Sequence, residues 1–179
     1  MAGGLILGIS FVSQSSGLRE WLYIWDLGSK EPGAVRTAVE YLGEHGTSSA
    51  LPGLLEVIRG SYCGLFVEIR VRGADGICRS VQEAPCACQK VMQAIVKVSR
   101  RSPAPCGKIL STALESPDAG VRRHVLYILG ELGPAVKPMV PRILQLEKTG
   151  TLDENPDFIE EIVEKINGET KPSPEERRG

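Results

Sequence analysis

The sequence predicts an all-α fold, an α-solenoid in which three to four helical hairpins stack side by side. The first observation is self-similarity: residues 35–55 and 121–144 both run from Val-Arg through Leu-Gly-Glu to a proline flanked by apolar residues. The second is spacing, since apolar residues in both stretches recur every three or four positions, as on one face of a helix. The third is composition. Aromatic residues are only 5% of the chain, so aliphatic side chains and Ala must fill the core.

Residues 1–28 are predicted to form a partial first repeat. Leu7-Gly8 precedes the Leu42-Gly43 of the next unit by 35 residues, which is a normal repeat length. The second helix of this unit is predicted to be amphipathic, with an apolar face formed by Leu18, Trp21, Leu22 and Trp25.

Residues 29–60 and 116–148 are predicted to be two complete repeats. In the second of them, Asp118 can cap the first helix. Gly133 and Pro134 end that helix, because glycine tolerates positive φ and proline cannot continue the hydrogen-bond ladder. The two apolar faces of this unit are formed by Val121, Val125, Ile128, Leu129 and Leu132, then by Val136, Val140, Ile143, Leu144 and Leu146. Neither helix can bury its face alone, so the pair must stack on neighbours.

Residues 83–115 are predicted to be a more divergent repeat, and the segment before it breaks the period. Segment 61–82 has two interpretations. The alternation of apolar and charged residues over 67–72, followed by a Gly-Ala-Asp-Gly turn, favours a β-hairpin insertion. The alternative is a decayed repeat helix that starts near Val71.

The C-terminal part is predicted to close the array. Residues 155–167 form an amphipathic capping helix, with Phe158, Ile159, Ile162 and Ile166 on one face and acidic residues on the other. Residues 169–179, with two prolines and mixed charge, are predicted to be a disordered tail.

This pattern resembles the HEAT-like repeats of bacterial proteins, the type also found in phycobilisome lyases. The matching segments are residues 35–36, 42–46 and 51–55 of one unit and residues 121–123, 129–135 and 140–144 of the other. The resemblance covers about 130 residues when the two divergent units are included. It implies an armadillo-like superhelix whose second helices line a concave face. The lyase branch of the family would imply handling of a bilin chromophore.

Charge and cysteine usage restrict the functional classes. The net charge of −1, with 21 basic residues spread along the chain, lacks the basic excess that nucleic-acid binding requires. Five irregularly spaced cysteines do not predict a disulfide framework and favour a reducing, cytoplasmic location. Residues 1–12 are apolar but lack the basic start and the cleavage site of a signal peptide. No apolar run reaches the roughly 20 residues of a membrane-spanning helix.

Residues able to carry catalysis are few. His45 and His124 are expected to be structural, and neither is followed by Glu, unlike the His-Glu pairs of the iron-binding enzyme built on HEAT repeats. Cys86 and Cys88, two apart on a helix, would point away from each other. We therefore predict no enzyme activity, no metal and no cofactor.

Arginines near the helix starts are expected to hold the repeats in register. Arg36, Arg122 and Arg123 are the candidates, with Glu31 and Asp118 placed as partners.

Two surfaces are candidates for binding another protein. Aligned second helices place Gly53, Lys108 and Arg142 in one column, and Glu56, Ser111 and Gln145 in the next, all expected to face away from the core. With Arg59, these columns would line the concave face, where the basic residues favour an acidic partner. The second surface is the N-terminal end, where the aromatic residues are Trp21, Tyr23 and Trp25.

The predicted function is a non-catalytic scaffold or adaptor for protein–protein interaction. The first alternative is a bilin-lyase-like or other enzyme-associated role, and the second is nucleic-acid binding. The sequence specifies neither the partner nor the oligomeric state.

Overall fold

The computed structural model describes residues 15–60, 70–72, 78–80, 87–152 and 154–169. This part of the chain is mostly helical, as the sequence predicts. The α-helices are α1 Ser15–Asp26, α2 Pro32–His45, α3 Leu51–Arg59, α4 Ala87–Arg101, α5 Pro103–Ala113, α6 Ala119–Leu132, α7 Val140–Lys148 and α8 Pro156–Asn167. The predicted helix before α1 and nearly all of the predicted tail lie outside the described residues.

Two short strands lie in the segment between α3 and α4. Strand β1, Arg70–Arg72, pairs antiparallel with β2, Cys78–Ser80, with Val71 opposite Arg79. Of the two interpretations of segment 61–82, this pairing agrees with the hairpin.

Local sequence explains the bounds of the last helices. The Asp118 carboxylate accepts a hydrogen bond from the Val121 N–H at 3.2 Å, which caps α6. The Asn155 side chain accepts from the Asp157 N–H at 3.0 Å at the start of α8. Gly168, with φ of 80°, follows the end of that helix in the left-handed region that glycine allows.

The second half of the last repeat differs from the prediction of one continuous helix. Residues Gly133–Met139 form a 3-10 helix, kinked at Val136, before α7 begins at Val140. Pro134, Pro138 and Pro141 each lack an N–H, so an uninterrupted α-helical ladder cannot run through this stretch.

The helices pack in two rows. In one row α2 packs on α4, α4 on α6 and α6 on α8. In the other, α3 contacts α5, and α5 contacts the 3-10 helix Gly133–Met139. Helix α1 packs on α2 at the start of the first row. Between the rows lies a continuous aliphatic core, whose largest fully buried side chains include Leu42, Leu54, Ile95, Leu110, Leu126, Leu129, Ile143 and Ile162.

Two glycines at the same repeat position allow close helix contacts. A Cβ at Gly43 of α2 would lie 3.1 Å from the Ala94 Cβ of α4. A Cβ at Gly130 of α6 would lie 2.8 Å from the Ile162 Cδ1 of α8. The shared Leu-Gly-Glu motif therefore marks, in both units, where a first helix meets the next one in the row.

Two consecutive arginines at the end of α4 donate hydrogen bonds to backbone carbonyls at the C-terminal ends of α2 and α6. Arg101 donates to the carbonyl oxygens of Leu42 at 3.3 Å, and of Gly43 and Gly46 at 2.9 Å each. Arg100 donates to the Glu131 carbonyl of α6 at 2.9 Å. Helix C-termini leave carbonyls without intrahelical partners, and these guanidinium groups satisfy them across the row.

The arginines predicted to hold the register have different partners. Arg36 pairs with Glu40 of its own helix at 3.4 Å and not with Glu31, because a spacing of four residues brings Glu40 to the same helix face. Arg122 is buried and donates to the Ser116 and Pro117 carbonyls at 2.8 and 3.1 Å. Both carbonyls belong to the loop directly before α6, so this contact fixes the start of the arginine's own helix.

The third of these arginines reaches towards α8. Arg123 of α6 donates from Nε to the Glu154 carboxylate at 2.9 Å. It therefore links α6 to the segment that leads into the last helix.

Candidate functional site

Helix α1 turns a partly polar side towards the protein. The Tyr23 ring stacks on the Tyr41 ring of α2 with centroids 4.0 Å apart. Leu27, directly after the helix, is buried, and the Glu20 carboxylate accepts from the Thr47 N–H and hydroxyl at 2.6 and 2.7 Å. Tyr23, a predicted partner-binding residue, is therefore largely occupied within the protein.

The opposite side of α1 is apolar and exposed. Its four large side chains, which we call the α1 face, have exposed fractions of 65% for Leu18, 58% for Trp21, 55% for Leu22 and 72% for Trp25. The two indole rings lie against each other with centroids 5.8 Å apart. The predicted candidates Trp21 and Trp25 thus belong to this surface. Leu18 and Leu22 complete it, as their spacing of three and four residues from the tryptophans predicts.

A second surface is formed along α5 by two apolar furrows. One, of about 520 Å³, lies between α3 and α5 and includes Leu55, Ile109 and Val121. The other, of about 460 Å³, lies between α5 and the 3-10 helix and includes Val136 and Met139.

Four of the predicted concave-face residues line these furrows, two in each. Glu56 and Arg59 line the first and pair with each other at 2.6 Å. Lys108 and Ser111 line the second, and Lys108 makes no ion pair within the described ranges.

Arg142 of α7 is engaged at the end of α5. It binds the Glu115 carboxylate at 2.5 Å and the Gln145 side chain at 2.9 Å. Of the three basic residues Arg59, Lys108 and Arg142, Lys108 is thus the one without an acidic partner in the described part of the chain. The predicted preference for an acidic partner therefore depends on Lys108.

Gly53 does not face solvent as the aligned columns predict. A Cβ at Gly53 would lie 2.8 Å from the Leu27 Cδ1, beside the end of α1. The alignment of second helices could not show this, because no equivalent of α1 covers the other two units at that position.

An ionic seam that the sequence did not indicate runs along α2 and α4. Lys90 pairs with Glu40 at 3.1 Å, and Lys97 pairs with Glu44. The hydrogen bond from Lys90 is the main cause that lowers the pKa of Glu40, and that from Lys97 lowers the pKa of Glu44. These pairs are exposed, so they orient the two helices more than they stabilise them.

The cysteines and histidines have structural surroundings. Cys106 is a buried free thiol, and burial raises its pKa, which keeps it protonated and unreactive. Cys88 of α4 is buried as well. His124 Nδ1 lies 2.6 Å from the Gly120 carbonyl oxygen, and the His45 ring lies against Tyr41 at the end of α2.

Within the ranges given above, no group of three or more His, Cys, Asp or Glu side chains is arranged as a metal site. No described helix has the length and apolar character needed to cross a membrane. No family model, curated protein or solved structure matches the chain.

Proposed function

We propose that the protein is a short α-solenoid of HEAT-like helical pairs that acts as a non-catalytic scaffold, binding another polypeptide chain through the α1 face. The observation that carries the proposal is the exposure of four large apolar side chains, two of them tryptophans, on one side of one helix.

The solenoid part of the proposal is supported by the order of packing. First helices contact the next first helix from α2 to α8, and second helices form the parallel row. Gly43 and Gly130 occupy the same motif position and the same kind of contact. A stack of this kind buries each helix face only where a neighbour is present, so its two ends need a polar capping face or a binding partner.

The binding part of the proposal is supported by composition and geometry. Tryptophan is enriched among residues that dominate binding energy, and contiguous exposed apolar patches on soluble proteins mark interaction sites. The α1 face is convex, which suits a partner that supplies a groove or a second helix.

The furrows along α5 favour a second contact on the same scaffold. They are apolar and shallow, and Lys108 lies at the edge of one of them. An acidic, apolar segment of a partner would pair with Lys108 while filling the furrow.

Site-specific photo-crosslinking in cells tests the α1 face. A photoreactive amino acid at Leu22 should capture a polypeptide, whereas the same group at Tyr127, an exposed aromatic residue on α6, should not capture it. Adding Trp21→Ser and Trp25→Ser should reduce the Leu22 crosslink at least tenfold, since loss of central tryptophans costs about 2 kcal/mol or more.

The control is the Tyr127→Ser variant, which should leave the Leu22 crosslink unchanged. Equal crosslinking from Leu22 and Tyr127, or a crosslink that survives both tryptophan substitutions, would overturn the proposed function.

A further inference from the structure

We propose that the α1 face binds the same face of a second copy of this chain, with the two α1 helices antiparallel. The inference rests on the proposed function, because it names the polypeptide that the α1 face binds.

Two unpaired charges lie on one edge of the α1 face. Arg19 and Asp26 are seven residues apart, so they lie within about 20° of each other around the helix and about 10 Å apart along it. That separation is too long for them to pair within one helix, where ion pairs span three or four residues. Neither residue makes an ion pair in the part of the chain that the structure describes.

An antiparallel pair uses both charges. A two-fold axis perpendicular to the plane of the two helices keeps the charged edge of each copy on the same side. When the axis passes between residues 22 and 23, Arg19 of one copy lies level with Asp26 of the other, and the symmetry repeats the pair. A parallel pair instead puts the charged edges of the two copies on opposite sides of the interface, where the charges cannot pair, so the charge pattern favours the antiparallel arrangement.

The same register interleaves the apolar side chains. Trp25 of one copy lies at the level of residue 20 of the other, between Leu18 and Leu22, and Trp21 lies at the level of residue 24. Each indole therefore packs between side chains of the other copy instead of against its own equivalent, which fills the interface without a clash of large rings.

The contact is small. An aromatic side chain buries roughly 200 Å², so two tryptophans and two leucines from each copy give about 1,000 Å², the lower limit for a specific interface. The dimer is therefore weak and reversible, with a dissociation constant in the micromolar range and a mass that rises with concentration.

Sedimentation velocity of the full chain over a wide concentration range tests the inference. The native protein should move from monomer towards dimer. Arg19→Asp alone or Asp26→Arg alone should raise the dissociation constant roughly tenfold, because each creates two like-charge contacts. The double variant Arg19→Asp with Asp26→Arg should restore the native value, and an equimolar mixture of the two single variants should form a heterodimer.

A chain that stays monomeric at all concentrations overturns the inference. A dimer that the single reversals do not weaken, or that Trp21→Ser with Trp25→Ser leaves intact, overturns it as well. These results leave the proposed function standing if crosslinking from Leu22 still captures a different polypeptide. Capture of nothing at Leu22 by a chain that still dimerises elsewhere overturns both.

Discussion

The first and last described helices, α1 and α8, flank the row of first helices and present opposite sides to the solvent. Helix α8 buries Ile159, Ile162 and Ile166 against α6 and its neighbours, and each is at most 1% exposed. Its outward residues include Glu160 and Glu161. Helix α1 contacts the rest of the protein through Glu20, Tyr23 and Ile24, and its most apolar side is exposed.

The difference shows that amphipathicity alone does not tell which side of a terminal helix is buried. Both helices have a strong separation of apolar and polar residues, and both lie beside one end of the same core. At the C-terminal end the apolar side meets α6, so the stack is closed by a polar surface. At the N-terminal end, Glu20 and Tyr23 contact α2 and the segment after it, and the apolar side is exposed.

The largest expected effect comes from truncating one apolar residue at each end. Ile162→Ala should lower the free energy of unfolding by about 2–5 kcal/mol, since it opens a cavity between α8 and α6. Trp25→Ala removes a larger side chain, yet it should change the stability of the monomer by no more than about 0.5 kcal/mol, because that residue is mostly exposed.

Urea denaturation at dilute protein concentration, followed by circular dichroism, measures both values. If Trp25→Ala greatly lowered the free energy of unfolding under these conditions, the α1 face would have to pack within the chain. The contrast between the two ends would then disappear.

The polar attachments of the two helices should have intermediate effects. Glu20→Ala removes the acceptor for two groups of Thr47 and should cost about 1–2 kcal/mol. Asn155→Ala removes the cap of α8 and should cost about 1 kcal/mol. Hydrogen exchange should locate the loosened amides in α1 for the first variant and in the first turn of α8 for the second.

Glu56→Ala is the matched control, because its carboxylate forms an exposed pair with Arg59 and should be worth less than about 1 kcal/mol. If Glu20→Ala were as mild as this control, α1 would be held by its apolar contacts alone.

The smallest expected effects are on the pH dependence of stability. They have opposite signs for the ion pair near the N-terminal end and the ion pair in α8. The pKa of Glu40 is lowered in the folded state, mainly by the hydrogen bond from Lys90, so this pair stabilises the fold above the ordinary carboxylate pKa and is lost as the pH falls through the folded value. The pKa of Lys165 in α8 is raised, mainly by the hydrogen bond to Glu161, so its contribution is present below the ordinary lysine pKa and is lost as the pH rises through the folded value.

Thermal unfolding across the pH range tests the signs. Glu40→Gln should flatten the acid limb of the stability curve, and Lys165→Met should flatten the alkaline limb. Both pairs are largely exposed, so their contributions should weaken in high salt. If Glu40→Gln flattened the alkaline limb, or Lys165→Met the acid limb, the assignment would be contradicted.

Local signals in the sequence predicted the helices better than they predicted the surfaces. Asp118, Asn155 and Gly168 lie at helix ends with the chemistry that caps require, so α6 and α8 could be placed from the chain alone. Arg100 and Arg101 were missed, because the carbonyls they bind lie more than 30 residues away, and two basic residues in a last helical turn were the one available signal.

The candidate surfaces depended on contacts between distant segments. The inward turn of Tyr23 is set by Tyr41, and the position of Gly53 is set by Leu27.

The adjacent arginines at the end of α4 affect how the helices unfold. Because Arg101 binds the end of α2 while Arg100 binds the end of α6, neither neighbour can melt without also stranding a cation on the central helix. We therefore expect α2, α4 and α6 to unfold together as one cooperative block, with local opening confined to the helices outside it.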